Sequence, residues 1–382
     1  MSNDAGHTNE DLFRLYGIEP NKRTSGRLEL ELRCRIRRLR LLLSELRARP
    51  TISWRRRLAA WRQGFTANSA VLYRLDETEP RDYLSDWAYS LQSYRFNGFF
   101  NPIIGNKLVL SQILSGQGIP HPQVIGVIVN GRLHHVGSRT IGCSADNHAA
   151  LLDYCVAFGR PLVFRPHWSG GGEGIFFLQR SEGAWRVNGH KASDDDVLRL
   201  IGGLTRYIVT TFVEQAAYAG RIYPQTANTL RILSLIDEQG PFVAAVVHRF
   251  GTARSFPLDN WHQGRGGLCA EVDCDRSVLG RAVSLDDRGR LSWHRTHPQT
   301  QEPIEGVAIP GLAQALEGVL DAACCFPEAL MVGWDILLTD DGFSIIEANA
   351  PPGIPVWQVH RPLLAEPRAA RFFSRYGFHQ KQ

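Results

Sequence analysis

The first hundred residues carry the apolar spacing of α-helices. Between residues 28 and 46, apolar side chains recur at steps of three and four, which places them on one helical face. An alternation over residues 28–36 would also suit a strand, but the nineteen residues of the whole segment are long for one. Further helices are predicted over residues 54–61 and 82–94. The first apolar face consists of Leu28, Leu32, Ile36, Leu39, Leu43 and Leu46.

From residue 101 onward, short helices alternate with apolar strands. Tight turns, such as Asn130-Gly131 and residues 237–240, join some of the strands and indicate antiparallel hairpins. The mixture predicts an α+β fold rather than a doubly wound parallel sheet. The predicted helices cover residues 107–115, 149–158, 197–201 and 312–326, and the predicted strands cover residues 124–129, 161–165, 175–179, 207–213, 230–236, 242–250, 331–338 and 343–348.

Charge is distributed unevenly along the 382 residues. Residues 22–62 hold fourteen basic and three acidic side chains, whereas the rest of the chain holds 29 basic and 35 acidic ones. Because most of the chain is slightly acidic, we do not expect it to bind nucleic acid. We expect the basic helix over residues 27–49 to pack on this acidic body, since its apolar face needs a partner. A peripheral contact with a membrane surface or with another protein is the alternative.

Composition also narrows the class of protein. No apolar run is long enough to span a membrane, and the N-terminus lacks the pattern of a signal peptide. Seven scattered cysteines form neither a disulfide framework nor a zinc-binding pattern. We therefore expect a cytoplasmic protein, and the sequence makes no prediction of its oligomeric state.

The last predicted hairpin carries the first candidate chemistry. Glu347 and Asn349 lie two residues apart on a strand and so share a face. If residues 340–342 form a three-residue loop, Asp335 pairs with Glu347 across the hairpin. Two facing carboxylates repel each other unless a cation neutralises them, and Mg²⁺ prefers such oxygen ligands. The alternative is an exposed hairpin whose acidic side chains are solvated.

Three further features suggest a bound polyphosphate. The glycines of residues 169–174 would let backbone N–H groups approach phosphate oxygens, although a flexible hairpin tip has the same composition. The strand end at residues 212–215 turns acidic, which suits contact with a ribose hydroxyl. Basic residues lie at or near the ends of apolar segments, and together they would bind phosphate oxygens, although each alone is explained as a surface residue. These basic residues are Lys107, Arg165, Arg231 and Arg249.

The order of these segments over residues 100–365 resembles the ATP-grasp superfamily, most closely its sugar-transfer-associated, glutamate-ligase-related branch. The resemblance implies a fold in which two α+β subdomains grip ATP, preceded by a helical region. The matching segments are Gly105-Asn106-Lys107, residues 164–178, Glu214-Gln215, and residues 228–232, 248–251, 258–260, 264–268, 332–338 and 346–353. The implied divisions are a polar N-terminus (1–26), a basic helical region (27–100), the N-terminal and lid subdomains (101–215) and the C-terminal subdomain (216–382).

The resemblance also implies a role for each matching residue. Arg165 departs from the superfamily, which usually has a second phosphate-binding lysine there. The implied ATP-binding residues are Lys107, Arg165, Ser169, Gly170, Gly171, Gly172, Phe212, Val213 and Glu214, and the implied ligands of two Mg²⁺ ions are Asp335, Glu347 and Asn349. The implied catalytic residues are Arg231, Arg249 and Asn260, and the substrate-binding candidates are Asp259, His262, Arg265, Gly266, Gly267 and His297.

The resemblance predicts an Mg-ATP-dependent ligase. Such an enzyme activates a substrate carboxylate as an acyl phosphate and joins it to an amine. One alternative is a kinase that phosphorylates a hydroxyl of a small substrate, such as a sugar derivative. Another is a nucleotide-binding module without catalytic activity. The sequence does not separate the ligase from the kinase, because the same residues would bind ATP in each. The presence of Lys107 and of all three metal-site side chains favours an enzyme over the non-catalytic module without excluding that module.

Overall fold

The computed structural model describes residues 25–47, 52–134, 159–168, 174–286 and 288–378. The predicted helix over residues 149–158 and the predicted glycine loop, with Ser169, Gly170, Gly171 and Gly172, lie outside the described residues. Most of the remaining predicted elements are present, with ends that differ by a few residues.

Helices form the first part of the chain and cover the sheets elsewhere. The predicted helix over residues 82–94 is shorter, because Ser85 begins it by accepting a hydrogen bond from the backbone N–H of Ala88. The helices are α1 (Ser25–Arg47), α2 (Trp54–Arg62), α3 (Ala67–Leu72), α4 (Asp86–Gln92), α5 (Phe100–Gly105), α6 (Lys107–Gly116), α7 (Asp194–Gly202), α8 (Ala217–Ile222), α9 (Leu312–Cys324), α10 (Pro355–Gln358) and α11 (Pro367–Arg375). Single 3₁₀ turns cover Pro80–Asp82, His262–Gly264 and Leu363–Ala365.

The described residues include fourteen strands, of which the sequence predicted eight. The missed strands are β2, β5, β6, β10, β11 and β12, most of which carry mixed polar and apolar residues. The strands are β1 (Val124–Val129), β2 (Arg132–His134), β3 (Leu162–Pro166), β4 (Phe176–Ser181), β5 (Ala184–Val187), β6 (His190–Ala192), β7 (Tyr207–Thr211), β8 (Leu230–Asp237), β9 (Gly240–Phe250), β10 (Leu268–Asp273), β11 (Val278–Leu285), β12 (Leu291–His294), β13 (Met331–Thr339) and β14 (Gly342–Asn349).

Two antiparallel sheets of seven strands each organise the fold. The first has the order β2-β1-β7-β3-β4-β5-β6, and the second has the order β12-β11-β10-β9-β8-β13-β14. The predicted α+β class is therefore confirmed. In the second sheet β8 lies between β9 and β13, so that residues from all three strands can face one site.

The second sheet is covered on both faces, because its central strands are apolar on both sides. Leu230 and Ile232 of β8 belong to a core that includes α9, whereas Leu233 and Leu235 belong to a core with the helical N-terminal region and α11. The N-terminal region thus packs on the same sheet that carries the predicted metal ligands. The first sheet has its own core with α7.

Helix α1 differs from the expectation in one respect. It contacts α4, as packing on the protein's own body requires. The buried side of the helix, however, contains Cys34 and Glu45, which are 2% and 5% exposed. Glu45 accepts hydrogen bonds from Arg57 at 3.1 Å and from Trp61 at 3.0 Å. The prediction that the apolar face of α1 packs on the protein is wrong, because this buried ionic contact turns the opposite face inward.

Candidate active site

The β13–β14 hairpin places two carboxylates opposite each other. Asp335 pairs with Glu347 across the two strands, which confirms the predicted pairing. The predicted three-residue loop is wrong, because Thr339 pairs with Gly342 and only two residues lie between them. A bulge at Ile346 then shifts the register by one residue and restores the Asp335–Glu347 pair.

Asp335 is buried between two arginines from neighbouring strands. Arg231 of β8 pairs with Asp335 in the sheet and donates a hydrogen bond to its Oδ1. Arg249 of β9 places its Nη2 3.2 Å from Oδ2. Burial raises the pKa of the Asp335 carboxyl, but the two guanidinium groups outweigh burial and hold the pKa below its usual value. Asp335 is therefore ionised at neutral pH.

A second buried carboxylate, Asp259, also contacts Arg249. Its Oδ1 is 3.3 Å from Nη2 of Arg249, and its Oδ2 accepts hydrogen bonds from the backbone and hydroxyl of Thr229 at 2.8 and 2.5 Å. Burial raises the pKa of Asp259, and Arg249 opposes that rise. Burial lowers the pKa of Arg249, but the carboxylates around it outweigh burial and raise that pKa. Sequence reasoning missed Thr229, although it lies one strand period before Arg231.

Lys107 reaches the same cluster from the start of α6. Asn106 begins this helix, because its side chain accepts hydrogen bonds from the backbone N–H groups of residues 108 and 109. Lys107 is 4% exposed, and its Nζ lies 3.3 Å from Oε2 of Glu347. The side-chain amide of Asn349 donates a hydrogen bond to Oε1 of Glu347 at 3.2 Å. The structure thus brings Lys107 into contact with Glu347, a predicted metal ligand that also binds Asn349.

Arg165 at the end of β3 connects the first sheet to the hairpin. Its Nη1 donates a hydrogen bond of 2.9 Å to the carbonyl oxygen of Ile346, the bulge residue. Burial lowers the pKa of Arg165, and the charge of Glu347 opposes that effect. The Nε atoms of Arg165 and Arg231 are buried and have no hydrogen-bond partner among the described residues. Buried polar groups are normally hydrogen-bonded, so both donors suit an anionic ligand.

These side chains meet at a cavity of about 310 Å³. Nine of the predicted site residues line it, and Lys107 joins them through Glu347. Sequence reasoning missed Trp261 and Gln263, which lie in the loop around the predicted His262. The cavity is lined by Arg165, Ile175, Ala227, Thr229, Arg231, Arg249, Leu258, Asp259, Asn260, Trp261, His262, Gln263, Asp335, Ile346, Glu347, Asn349, Gly353, Pro355 and Val356.

Four predicted substrate-binding residues lie outside this lining. Arg265 is exposed, whereas Gly266 and Gly267 are buried at the end of the same loop. A Cβ atom built on Gly267 would lie 2.8 Å from the carbonyl oxygen of Asp259, so close backbone packing requires glycine there. His297 is fully buried, its Nε2 lies 2.9 Å from the carbonyl oxygen of Gly251, and burial lowers its pKa. The contacts of Gly267 and His297 support the shape of the site.

The predicted adenine- and ribose-binding segment follows β7. This strand ends at Thr211, two residues earlier than predicted, and Phe212, Val213 and Glu214 lie in the connection to α8. Glu214 is exposed, and Phe212 and Val213 are half-buried. The connection is anchored to the second sheet, because the backbone N–H of Ala216 donates a 2.7 Å hydrogen bond to the carbonyl of residue 338. Its predicted contact with a nucleotide stays a prediction.

The donor set at the hairpin fits a hard divalent cation. Glu347 and Asn349 line the cavity with oxygen atoms, and the Glu347 side chain is 21% exposed. Asp335 already binds two arginines, so it would share its carboxylate between them and a metal ion. Among the described residues, no group of three or more His, Cys, Asp or Glu side chains forms a metal-binding cluster. The site therefore supplies two carboxylates and an amide, and the remaining ligands would come from substrate and water.

Comparison with known proteins identifies similar chains. The family profile described as sugar-transfer associated ATP-grasp matches residues 89–370. A search of curated proteins found no match. No helix among the described residues has the length and apolar character needed to cross a membrane.

Several solved structures are similar to parts of this chain. One is a carboxyaminoimidazole ribonucleotide synthase from Aspergillus clavatus complexed with ATP, with a TM-score of 0.40, 13% identity, and coverage of 73% of this chain and 58% of that chain. A D-alanine–D-alanine ligase from Bacillus anthracis has a TM-score of 0.35 and 13% identity, covering 72% of this chain and 69% of that one. An L-amino acid ligase from Bacillus licheniformis has a TM-score of 0.35 and 11% identity, covering 67% and 43%. The match thus spans less than two thirds of the first and third of these proteins.

Proposed function

Because this chain belongs to the sugar-transfer-associated ATP-grasp family, we propose that it is an ATP-dependent ligase that joins a carboxylate to an amine. The observation that carries the proposal is the cluster of buried cations around one cavity. Arg165, Arg231 and Arg249 line the cavity, and each is at most 8% exposed. Two of these arginines also have a buried Nε donor without a partner among the described residues.

The cluster is suited to a polyphosphate. Buried arginines present forked donors to phosphate oxygens, and a buried lysine adds a compact positive charge. Among the described residues, the carboxylates of Asp259, Asp335 and Glu347 lie close to these cations. When ATP binds, its phosphate oxygens would replace the carboxylates as partners of these cations. We assign phosphate binding to Lys107 and Arg165, as the family resemblance implies.

In the proposed reaction, an oxygen of the substrate carboxylate attacks the γ-phosphorus, and the bond to the β-phosphate oxygen breaks. ADP leaves, and the substrate becomes an acyl phosphate. The amine then attacks the carbonyl carbon, inorganic phosphate leaves, and the amine loses a proton to water or to a basic group. Arg231 and Arg249 would hold the charge that develops during both steps, because they are fixed by Asp335 and Asp259 before substrate binds.

Magnesium ions held by Asp335, Glu347 and Asn349 would neutralise phosphate charge when bound. The protein's own residues prepare the site for them. Arg165 fixes the carbonyl of Ile346 directly before Glu347, and Asn349 orients the Glu347 carboxylate by a 3.2 Å hydrogen bond. The substrate would contact the other wall of the cavity, which is formed by Trp261, His262 and Gln263.

A product screen tests the proposal. The full-length protein with Mg-ATP is incubated with pooled amino acids, peptides and sugar derivatives, ADP release is measured, and products are identified by mass spectrometry. A ligase releases phosphate and gives a product whose mass is that of two substrates less one water. A kinase instead adds one phosphoryl group to a substrate and releases no phosphate, which would overturn the ligase assignment. If no pool supports ADP release above the protein-free rate, the enzyme assignment is wrong.

A matched pair of variants tests the site itself. We expect Glu347→Gln to reduce ATP turnover by at least a hundredfold, because the amide cannot replace a carboxylate that binds a divalent cation. Asp341→Asn is the control, since Asp341 is an exposed residue at the turn of the same hairpin. Equal turnover in the two variants would show that Glu347 is not a metal ligand.

A further inference from the structure

Helix α1 carries an apolar stripe that faces away from the protein. Five side chains at helical spacing form this stripe. Leu32, Leu39 and Leu46 are 57%, 56% and 66% exposed, and Ile36 and Leu43 are 42% and 40% exposed. Single exposed apolar residues are common, but a continuous stripe over four helical turns on one surface indicates an interaction site.

The orientation of the stripe is set by contacts on the other side of the helix. Glu45, on that side, accepts hydrogen bonds from Arg57, Trp61 and the backbone N–H of Ala67. Arg37 stacks over the ring of Tyr89 with a distance of 5.1 Å to its centroid. Rotating α1 to bury the stripe would break these contacts and expose a buried ion pair. The stripe therefore stays available to a partner while the helix remains attached.

Exposed arginines flank the stripe along both edges. Arg33, Arg40 and Arg47 follow one edge at intervals of seven residues, and Arg35 and Arg38 follow the other. Arg33 pairs with Glu29 at 2.8 Å. No carboxylate of the described residues lies within ion-pair distance of the other four arginines. The surface thus combines apolar side chains with unneutralised positive charge.

A second copy of this helix is a poor partner for the stripe. Residues 32, 36, 39, 43 and 46 follow the spacing of a coiled-coil seam. Four of the five flanking positions that would pair between two copies are occupied by Arg33, Arg35, Arg40 and Arg47, and the fifth by Leu42. Two copies would therefore place arginines against arginines in a parallel or an antiparallel pair. The charge is complementary to an anionic partner instead.

We propose that α1 docks the protein on the surface of an anionic lipid membrane. The helix is about 34 Å long at 1.5 Å per residue, so it would lie in the plane of the interface. The leucine stripe would enter the boundary between headgroups and acyl chains. The arginines would keep their guanidinium groups at the level of the lipid phosphates, since their long stems reach past the apolar layer.

Co-sedimentation of the full-length protein with vesicles tests this proposal. We expect binding to vesicles of phosphatidylcholine mixed with phosphatidylserine and no binding to phosphatidylcholine alone. Leu39→Gln/Leu43→Gln should weaken binding at least tenfold, because both side chains lose their transfer into the apolar layer. Replacing Arg35, Arg38, Arg40 and Arg47 by glutamine should weaken vesicle binding by about fivefold per arginine. Added salt should also weaken the binding of the wild-type protein to anionic vesicles.

Matched controls separate the surface from general effects. Leu198→Gln changes an exposed leucine on α7, and replacing Arg132, Arg206, Arg276 and Arg288 by glutamine removes the same charge from other exposed positions. We expect both controls to bind vesicles like the wild type. All variants should keep the wild-type circular dichroism and ATP turnover, because none of these residues lies at the cavity.

Several outcomes would overturn the proposal. Equal binding to neutral and anionic vesicles would show that the charge of α1 does not contribute to membrane binding. An equal loss of vesicle binding in the arginine variants and their controls would show the same. Failure to bind either vesicle would show that the stripe serves another partner, such as residues 1–24 or another protein. A dimer in light scattering that Leu39→Gln/Leu43→Gln dissociates would identify a second copy as the partner.

Discussion

We expect Asp335→Asn to destabilise the protein by about 3 kcal/mol, because it leaves two buried arginines with less compensating charge. Asp335 is 5% exposed, and its two oxygens bind Arg231 and Arg249. Breaking a buried ion pair by removing one partner costs roughly 3–5 kcal/mol, and we take the low end because the amide oxygen still accepts one hydrogen bond. Neither arginine can relieve the cost by losing its proton.

Urea unfolding followed by circular dichroism at pH 7 measures this effect. Asp341→Asn makes the same chemical change at an exposed position of the same hairpin, and we expect it to alter the free energy of unfolding by less than about 0.5 kcal/mol. A difference between the two variants below about 1 kcal/mol would refute the idea that Asp335 holds the two arginines in place.

The pH dependence gives a second check on Asp335. Its pKa is held below the usual value of 3.8 by Arg231 and Arg249. The native state therefore prefers the ionised carboxyl, and the stability that this preference adds is fully present above the unfolded pKa. It is lost as the pH falls through the lower pKa of the folded state. The difference between wild type and Asp335→Asn should stay constant from pH 7 to pH 5 and shrink below pH 3.8. A difference that disappears by pH 5 would contradict the assigned direction.

Two further predictions concern residues around the cluster. Lys107→Ala should weaken the binding of ATP, measured by calorimetry, by about ten- to a hundredfold, because a charge-assisted contact is lost. Lys191→Ala, at an exposed position of a strand, should leave the affinity unchanged. Equal affinities of the two variants would show that Lys107 does not bind phosphate. Gly267→Ala should lower the free energy of unfolding by about 1–3 kcal/mol, because its Cβ would collide with backbone oxygens. Gly116→Ala is its control, since no atom lies within 4 Å of a Cβ built there. An unchanged unfolding midpoint for Gly267→Ala would show that the loop adapts.

The β13–β14 hairpin shows how a correct pairing can follow from an incorrect turn. The sequence predicted that Asp335 faces Glu347, because a three-residue loop over residues 340–342 would pair these two positions. The predicted loop had three residues, whereas the actual loop has two and a bulge at Ile346 supplies the missing offset. Bulges depend on contacts outside the hairpin, and Arg165 from the other sheet binds this one. Local sequence contains no record of such a contact.

Helix α1 illustrates the opposite case. Its apolar spacing predicted a helix, and the helix is present, but the direction in which the apolar face points was wrong. The deciding contacts join Glu45 to Arg57 and Trp61, which lie on a different helix. A pattern of apolar residues shows that a face requires an apolar partner. It does not show whether that partner is part of the same chain.

The sequence by itself determined the secondary structure of the main strands, the α+β class and the order of the charged residues that line the cavity. These features depend on local periodicity and on residue order, which the chain carries in full. Only the tertiary structure decided that Asp259 and Thr229 hold Arg249, that Arg165 supports the hairpin from the first sheet, and that the leucine stripe of α1 faces outward. These features depend on contacts between different strands, helices and loops, and the energies of such contacts depend on burial and distance, which are set only when the sheets and helices pack together.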